Sequence, residues 1–208
     1  MRVEARDLGK KFGKTWLFRH LDFNFEAPNK YAIIGPNASG KSSLLRLIAG
    51  FSEATEGSIT HLNQGTPVDD LQWFRHLSIA SPYLELELLF SLREYLELHG
   101  KLKAFRESKS VETLAQEFGL ESSLDKELGD FSSGMMQRLR IGLAMASDTD
   151  LVLLDEPLSN LDESAVKWYE DYVQEQMGKR LIIVFSNAKT EEYSFCNEHL
   201  HIEELKAS

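Results

Sequence analysis

A chain of 208 residues with 23 Lys and Arg against 33 Asp and Glu carries a formal charge of −10. That length suits one domain, or a core with an inserted subdomain, and the acidic balance argues against wrapping nucleic acid or lying on anionic lipid. The single cysteine, Cys196, excludes an internal disulfide framework and a cysteine-based zinc site. No run reaches the roughly 20 apolar residues of a membrane span. Glu4 and Asp7 stand where a signal peptide has its apolar stretch, so the expected place is a reducing cytosol.

In chain order, 2–5, 16–25 and 30–34 mix β-branched, aromatic and polar residues between Gly and Asn, which predicts a small β-rich N-terminal portion. After Gly40 the spacing of Leu44, Leu45, Leu47 and Ile48 predicts a helix that Gly50 closes. Short strands are expected at 58–62 and 77–80, with a loop around Gly65 and Pro67. From about 84 to 130 the chain is Leu- and Glu-rich with helical spacing, which predicts an inserted helical subdomain. Beyond it, 135–146 and 164–176 read as helices and the apolar runs 151–154 and 181–185 as buried strands. Alternation of that kind predicts an α/β fold on a mostly parallel sheet, with no repeat marking a second domain.

The strand ending at Ile34 runs into Gly35-Pro36-Asn37-Ala38-Ser39-Gly40-Lys41-Ser42-Ser43 and then a helix, the strand, G-x-x-x-x-G-K-[ST], helix order of a phosphate-binding loop. Gly35 and Gly40 are expected to allow backbone angles closed to other residues, so that N–H groups converge on phosphates at a helix start. Lys41 is expected to reach the β and γ oxygens, and Ser42 to ligate Mg²⁺ while capping the helix. Downstream, the strand through Leu154 ends in Asp155 and Glu156. Asp155 is the candidate Mg²⁺ ligand. Glu156, on the other side of an extended strand end, is the candidate base for an attacking water. Cys196 reads as a small apolar residue, and Trp168 and Tyr169 as helix packing.

Phe131-Ser132-Ser133-Gly134-Met135-Met136-Gln137-Arg138 precedes that strand and Leu158-Ser159-Asn160-Leu161-Asp162 follows it. In this order the motifs resemble those of the ATP-binding subunit of an ABC transporter, with its Leu-Ser-Gly-Gly-Gln signature loop and Ser-x-Leu-Asp D-loop. The resemblance covers nearly the whole chain. It implies a P-loop NTPase core within one domain over 1–208, an antiparallel β subdomain at the N-terminus, and ATP with Mg²⁺ as ligands. It also implies that Phe12 stacks on adenine. Ser132, Ser133 and Gly134 would act in trans on ATP held by a second ATP-binding subunit, with Ser159 and Asp162 in the D-loop between them. A membrane subunit on a separate chain, docked near 83–95, is the implied partner. No nucleic acid is expected, and the implied location is the inner face of the cell membrane.

The sequence departs from the family pattern in three places. Phe131, Ser133 and Met135 replace the signature's Leu, first Gly and Gln. The Q-loop glutamine is missing near Ser81-Pro82-Tyr83, where Pro82 takes the position and Glu85 and Glu87 are the nearest acids. Ser186 stands for the switch histidine, so Ser186 or Asn187 is expected to meet the γ-phosphate. Slow hydrolysis is therefore expected. The alternatives are an ATP-binding switch subunit that does not hydrolyse and pairs with a competent sister, or an ABC-type ATPase not engaged in transport.

Overall fold

Two sheets organise residues 1–206, the part of the chain that this computed structural model describes; the last two residues of the expected 1–208 domain lie outside it. The chain begins with β1 (Arg2–Phe12), β2 (Thr15–Glu26) and β3 (Lys30–Ile34), followed by α1 (Lys41–Ile48). Next come β4 (Glu56–Asn63), β5 (Thr66–Pro67), α2 (Asp70–Trp73) and β6 (Leu77–Ala80). The middle holds α3 (Leu92–Leu102), α4 (Val111–Glu117) and α5 (Ser133–Ala146). The chain then forms β7 (Leu151–Asp155), α6 (Glu163–Gln176), β8 (Leu181–Ser186), β9 (Glu198–His201) and α7 (Ile202–Lys206).

The first sheet is antiparallel in the order β2-β1-β4-β5, and the second is parallel in the order β6-β7-β8-β3-β9. The apolar strands β3, β7 and β8 are buried on both faces, as a central parallel sheet must be. Alternation sends Ala32, Val152, Leu154, Ile182 and Val184 toward α5 and α6. Their neighbours Ile33, Leu151, Leu153, Ile183 and Phe185 face α1 and the antiparallel sheet.

Three segments differ from the sequence expectation. Leu84 to Phe90 holds no helix: Leu84 and Leu86 are half-buried while Glu85 and Glu87 are exposed, a two-residue period suited to extended chain. Helix α3 starts at Leu92, where Ser91 and Glu94 form a capping box. The expected loop around Gly65 contains β5 and the single turn α2, capped by Asp69. Strand β9, Glu-His-Leu-His, was not expected, because an edge strand paired only to β3 needs no apolar run. No described helix is long and apolar enough to cross a membrane.

Candidate nucleotide-binding site

Strand β3 delivers the loop into the site, and the Gly35 N–H donates to the Ser186 carbonyl at 3.1 Å, fastening it to the end of β8. The two glycines serve different needs. Gly40, the N-cap of α1, has φ +105°, a conformation open to glycine. Gly35 needs no special angle: a Cβ there would lie 2.5 Å from Ile202 Cγ2, so it is close packing under α7 that demands glycine. Ala38 also takes a left-handed φ of 62°, which curls the loop, and the Ser39 N–H closes on the Pro36 carbonyl at 3.2 Å. The buried Ser39 hydroxyl has no partner among the described residues. Lys41 is buried and folds back, its Nζ donating to the Gly35 and Pro36 carbonyls at 2.7 and 3.0 Å. Ser42 does not cap α1, since no side chain caps it; Ser42 is exposed inside the first turn, with its hydroxyl free to face a ligand.

A cavity of about 450 Å³ gathers these groups. Asn37, Ala38 and Gly40 from the loop and Lys41, Ser42 and Ser43 from α1 form one side, while Phe12, Leu17, Tyr83 and Glu156 form the rest. Phe12, 58% exposed, is an open ring and not a core residue; the Lys10 ammonium sits 5.4 Å from its centroid. Ser42 also borders a second cavity of about 440 Å³, where it meets Asp155, Ser81 and Tyr83.

Asp155 and Glu156 diverge for a reason other than strand alternation. Asp155, 3% exposed, ends β7 on the α1 side, whereas Glu156 has a left-handed φ of 43° that breaks the strand. Burial pushes the Asp155 carboxyl above its ordinary range, the Ser81 hydroxyl opposes this by donating to Oδ2 at 3.0 Å, Glu156 adds to the rise and Lys41 counters it. Ser81, beside Pro82 in the segment that lacks the glutamine, is the polar group that meets Asp155. The register signals it: Ala80 pairs with Leu154, which sets Ser81 beside Asp155. Glu85 borders a different cavity.

Ser186 departs from its expected role. It shares the alternation of Ile182 and Val184, so its side chain faces away from the phosphate loop and is fully buried. Its hydroxyl donates to Glu192 Oε2 at 2.5 Å and accepts from the Ala188 N–H at 3.2 Å. Burial pushes the Glu192 carboxyl up, against the hydrogen bonds from Ser186 and the Leu158 N–H. Gln137 and Glu192, both buried, escaped the sequence reading because their partners lie far along the chain.

Ser132, Ser133 and Gly134 do not join the phosphate loop. With Asn160, Leu161 and Asp162 they line a separate cavity of about 430 Å³. Ser132 caps α5, accepting from the Met135 N–H at 3.2 Å, and Ser132 and Ser133 are exposed at the helix start. Phe131 and Met135 pack against the core. Asp162 caps α6, accepting from the Ala165 N–H and the Ser164 hydroxyl, each at 2.8 Å, and these bonds hold its carboxyl below the ordinary range. Ser159 closes a turn, its N–H donating to the Glu156 carbonyl at 3.0 Å. Burial pushes the Cys196 thiol up to about 12, which leaves it un-ionised at neutral pH.

A sequence profile of the family described as ABC transporter matches residues 18–159. The ABC transporter ATP-binding protein YybJ of Bacillus subtilis is 30% identical over 196 residues, covering 94% of this chain and 89% of that one. Nod factor export ATP-binding protein I of Rhizobium johnstonii is 31% identical over 166 residues, 78% of this chain but 53% of that one. An ABC transporter ATP-binding protein from Pyrococcus furiosus superposes with a TM-score of 0.79 at 20% identity, covering 98% of both chains. A dimeric ATP-binding cassette in a post-hydrolysis state with ADP and phosphate gives 0.80 at 19% identity, over 96% of this chain and 93% of that one. At these identities the structural likeness establishes the fold, an α/β P-loop NTPase.

Proposed function

The chain belongs to the family of ABC transporter ATP-binding proteins, and from that premise we propose that it binds and hydrolyses MgATP to drive a membrane subunit on another chain. The observation that carries this is the single cavity in which Phe12, the phosphate loop and Glu156 converge. Phe12 offers its open face to adenine. Lys41, held by two backbone carbonyls, exchanges them for the β and γ oxygens, while the curled loop turns N–H groups to the phosphates. Ser42 and Asp155 fit a hard cation, as an exposed hydroxyl and a buried carboxylate on one cavity wall. Bound there, magnesium supplies charge neutralisation to the phosphate oxygens. Glu156 orients a water and takes its proton as the water oxygen bonds to the γ-phosphorus and the bridge to ADP breaks.

The separate cavity at Ser132 to Gly134 supports a head-to-tail pair in which each chain completes the other's site. We take residues 84–130 as the helical subdomain of one ATP-binding domain. A groove of about 460 Å³ beside it, floored by Trp73, Leu77, Ile79 and Leu143, is the proposed seat of the membrane subunit. Phe51 and Phe74 are exposed on its wall. The groove shares Phe51, Ile79 and Leu84 with the Asp155 cavity, which gives docking a path to the nucleotide. The turned-away Ser186 supports slow turnover. Steady-state ATP hydrolysis checks the reading. The parent chain should exceed Lys41→Ala, and Glu156→Gln should lose about a hundredfold or more while still binding MgATP. Parent turnover equal to that of Lys41→Ala would overturn it.

A further inference from the structure

Residues 156–159 form a turn closed by the Ser159 N–H on the Glu156 carbonyl, so the peptide between Pro157 and Leu158 is its middle peptide. Both ends of that one peptide group are held. Its carbonyl accepts from Gln137 Nε2 at 3.0 Å, and its N–H donates to Glu192 Oε1 at 3.4 Å. Gln137 and Glu192 are each 1% exposed. Each is itself anchored. Gln137 projects from the second turn of α5, the helix that begins at Ser132 to Gly134, and Glu192 also accepts the Ser186 hydroxyl. Tyr169 Oη fixes the Glu192 backbone by donating to its carbonyl at 2.6 Å.

We propose that Gln137 and Glu192 are positioning residues that clamp the Pro157–Leu158 peptide, and so hold the turn that follows left-handed Glu156 and aims it into the nucleotide cavity. The physical reason is that a β-turn relaxes most easily by rotating its middle peptide, which interchanges type I and type II geometry. A donor on one face and an acceptor on the other oppose that rotation, because either swing leaves a buried polar group unpaired. The clamp also links three parts of the chain that sequence separates: the helix behind Ser132 to Gly134, the end of β8, and the turn behind Glu156. A shift of α5 on contact with a second subunit would thus be felt at Glu156. The catalytic half of this inference rests on the proposed role of Glu156.

Amide hydrogen exchange across 156–162 in the full chain, paired with steady-state kinetics, tests it in Gln137→Met, Glu192→Ala and Glu192→Gln. In Glu192→Ala and Gln137→Met the segment should exchange about tenfold faster while β7 and β8 stay protected. Their kcat should fall about tenfold or more with KM within about threefold, the pattern of lost positioning and not of lost binding. Glu192→Gln keeps an oxygen for the Leu158 N–H and should restore kcat to within about threefold of the parent. Losses in the two deletions combined should fall short of their sum, since both act on one peptide group. If Glu192→Ala fails to fold, Gln137→Met, or Gln137→Asn in its place, is read by the same criteria. Unchanged exchange in the folded variants overturns the clamp, as does a Glu192→Gln as impaired as Glu192→Ala. A parent without turnover would sink the hydrolytic reading instead, and the exchange rates alone would then decide the clamp.

Discussion

Lys41 makes no ion pair among the described residues: its ammonium is satisfied by two loop carbonyls, which compete with a phosphate far less than a carboxylate would. Phe12 is an open ring at the end of β1 beside the same cavity, with the Lys10 ammonium 5.4 Å from its centroid. Stacking on a base contributes about 1–3 kcal/mol, so Phe12→Ala should weaken ATP binding about 5- to 150-fold, and Phe12→Tyr should stay within about threefold. Titration calorimetry with the Glu156→Gln background measures this; equal affinity for Phe12→Ala would remove the ring from the site. At this scale the order of strand, loop and helix was legible because its residues are consecutive in sequence, and Gly40 has a local reason in its φ of +105°. Ser186 was misread because its position in sequence says nothing of which sheet face it takes. That is settled by the parity it shares with Ile182 and Val184, and Glu192, six residues on, then captures its hydroxyl. Gly35 shows the same limit, since the atom that demands glycine belongs to Ile202.

His99 of α3 stacks on Phe105, with ring centroids 5.3 Å apart, and its Nε2 lies 2.9 Å from the Oγ of Ser147, the residue that follows α5. The Ser147 proton goes to the Leu143 carbonyl at 2.6 Å, so Oγ accepts from Nε2–H. Burial, and then the nearby Lys103 ammonium, lower the His99 pKa to about 4. Between that value and the ordinary 6.5 the unfolded chain binds more protons than the folded one, so this contribution to stability is full above pH 6.5 and lost as pH falls toward 4. Thermal melts should show a fall of about 1–3 kcal/mol across that window that His99→Gln, which keeps a donor to Ser147, lacks. A parent and variant with parallel pH profiles would contradict the shift. Most elements were legible because the apolar strands β3, β7 and β8 and the helices α5 and α6 carry long, consistent patterns. Leu84 to Phe90 was read as helix from its leucine content, although its Leu-Glu alternation has the period of extended chain. β9 offers no apolar pattern at all.

Across the whole molecule, the phosphate loop with Glu156 and the Ser132 to Gly134 segment with Asp162 open into different cavities of the same chain. The two faces of the parallel sheet explain the separation: α1 packs on one, while α5 and α6 pack on the other. Under the proposed function, each chain would present two incomplete halves, and two chains arranged head to tail would supply two complete sites. The helix start at Ser132 and Ser133 is exposed, which the proposed arrangement needs. The most direct measurement is sedimentation of Glu156→Gln with and without MgATP, using two copies of this chain as the pair. The account predicts a monomer without nucleotide, a dimer with saturating MgATP, and no dimer when Ser133→Arg is added to block the helix start. A protein that binds MgATP and yet sediments as a monomer, or a dimer that Ser133→Arg leaves intact, would contradict it.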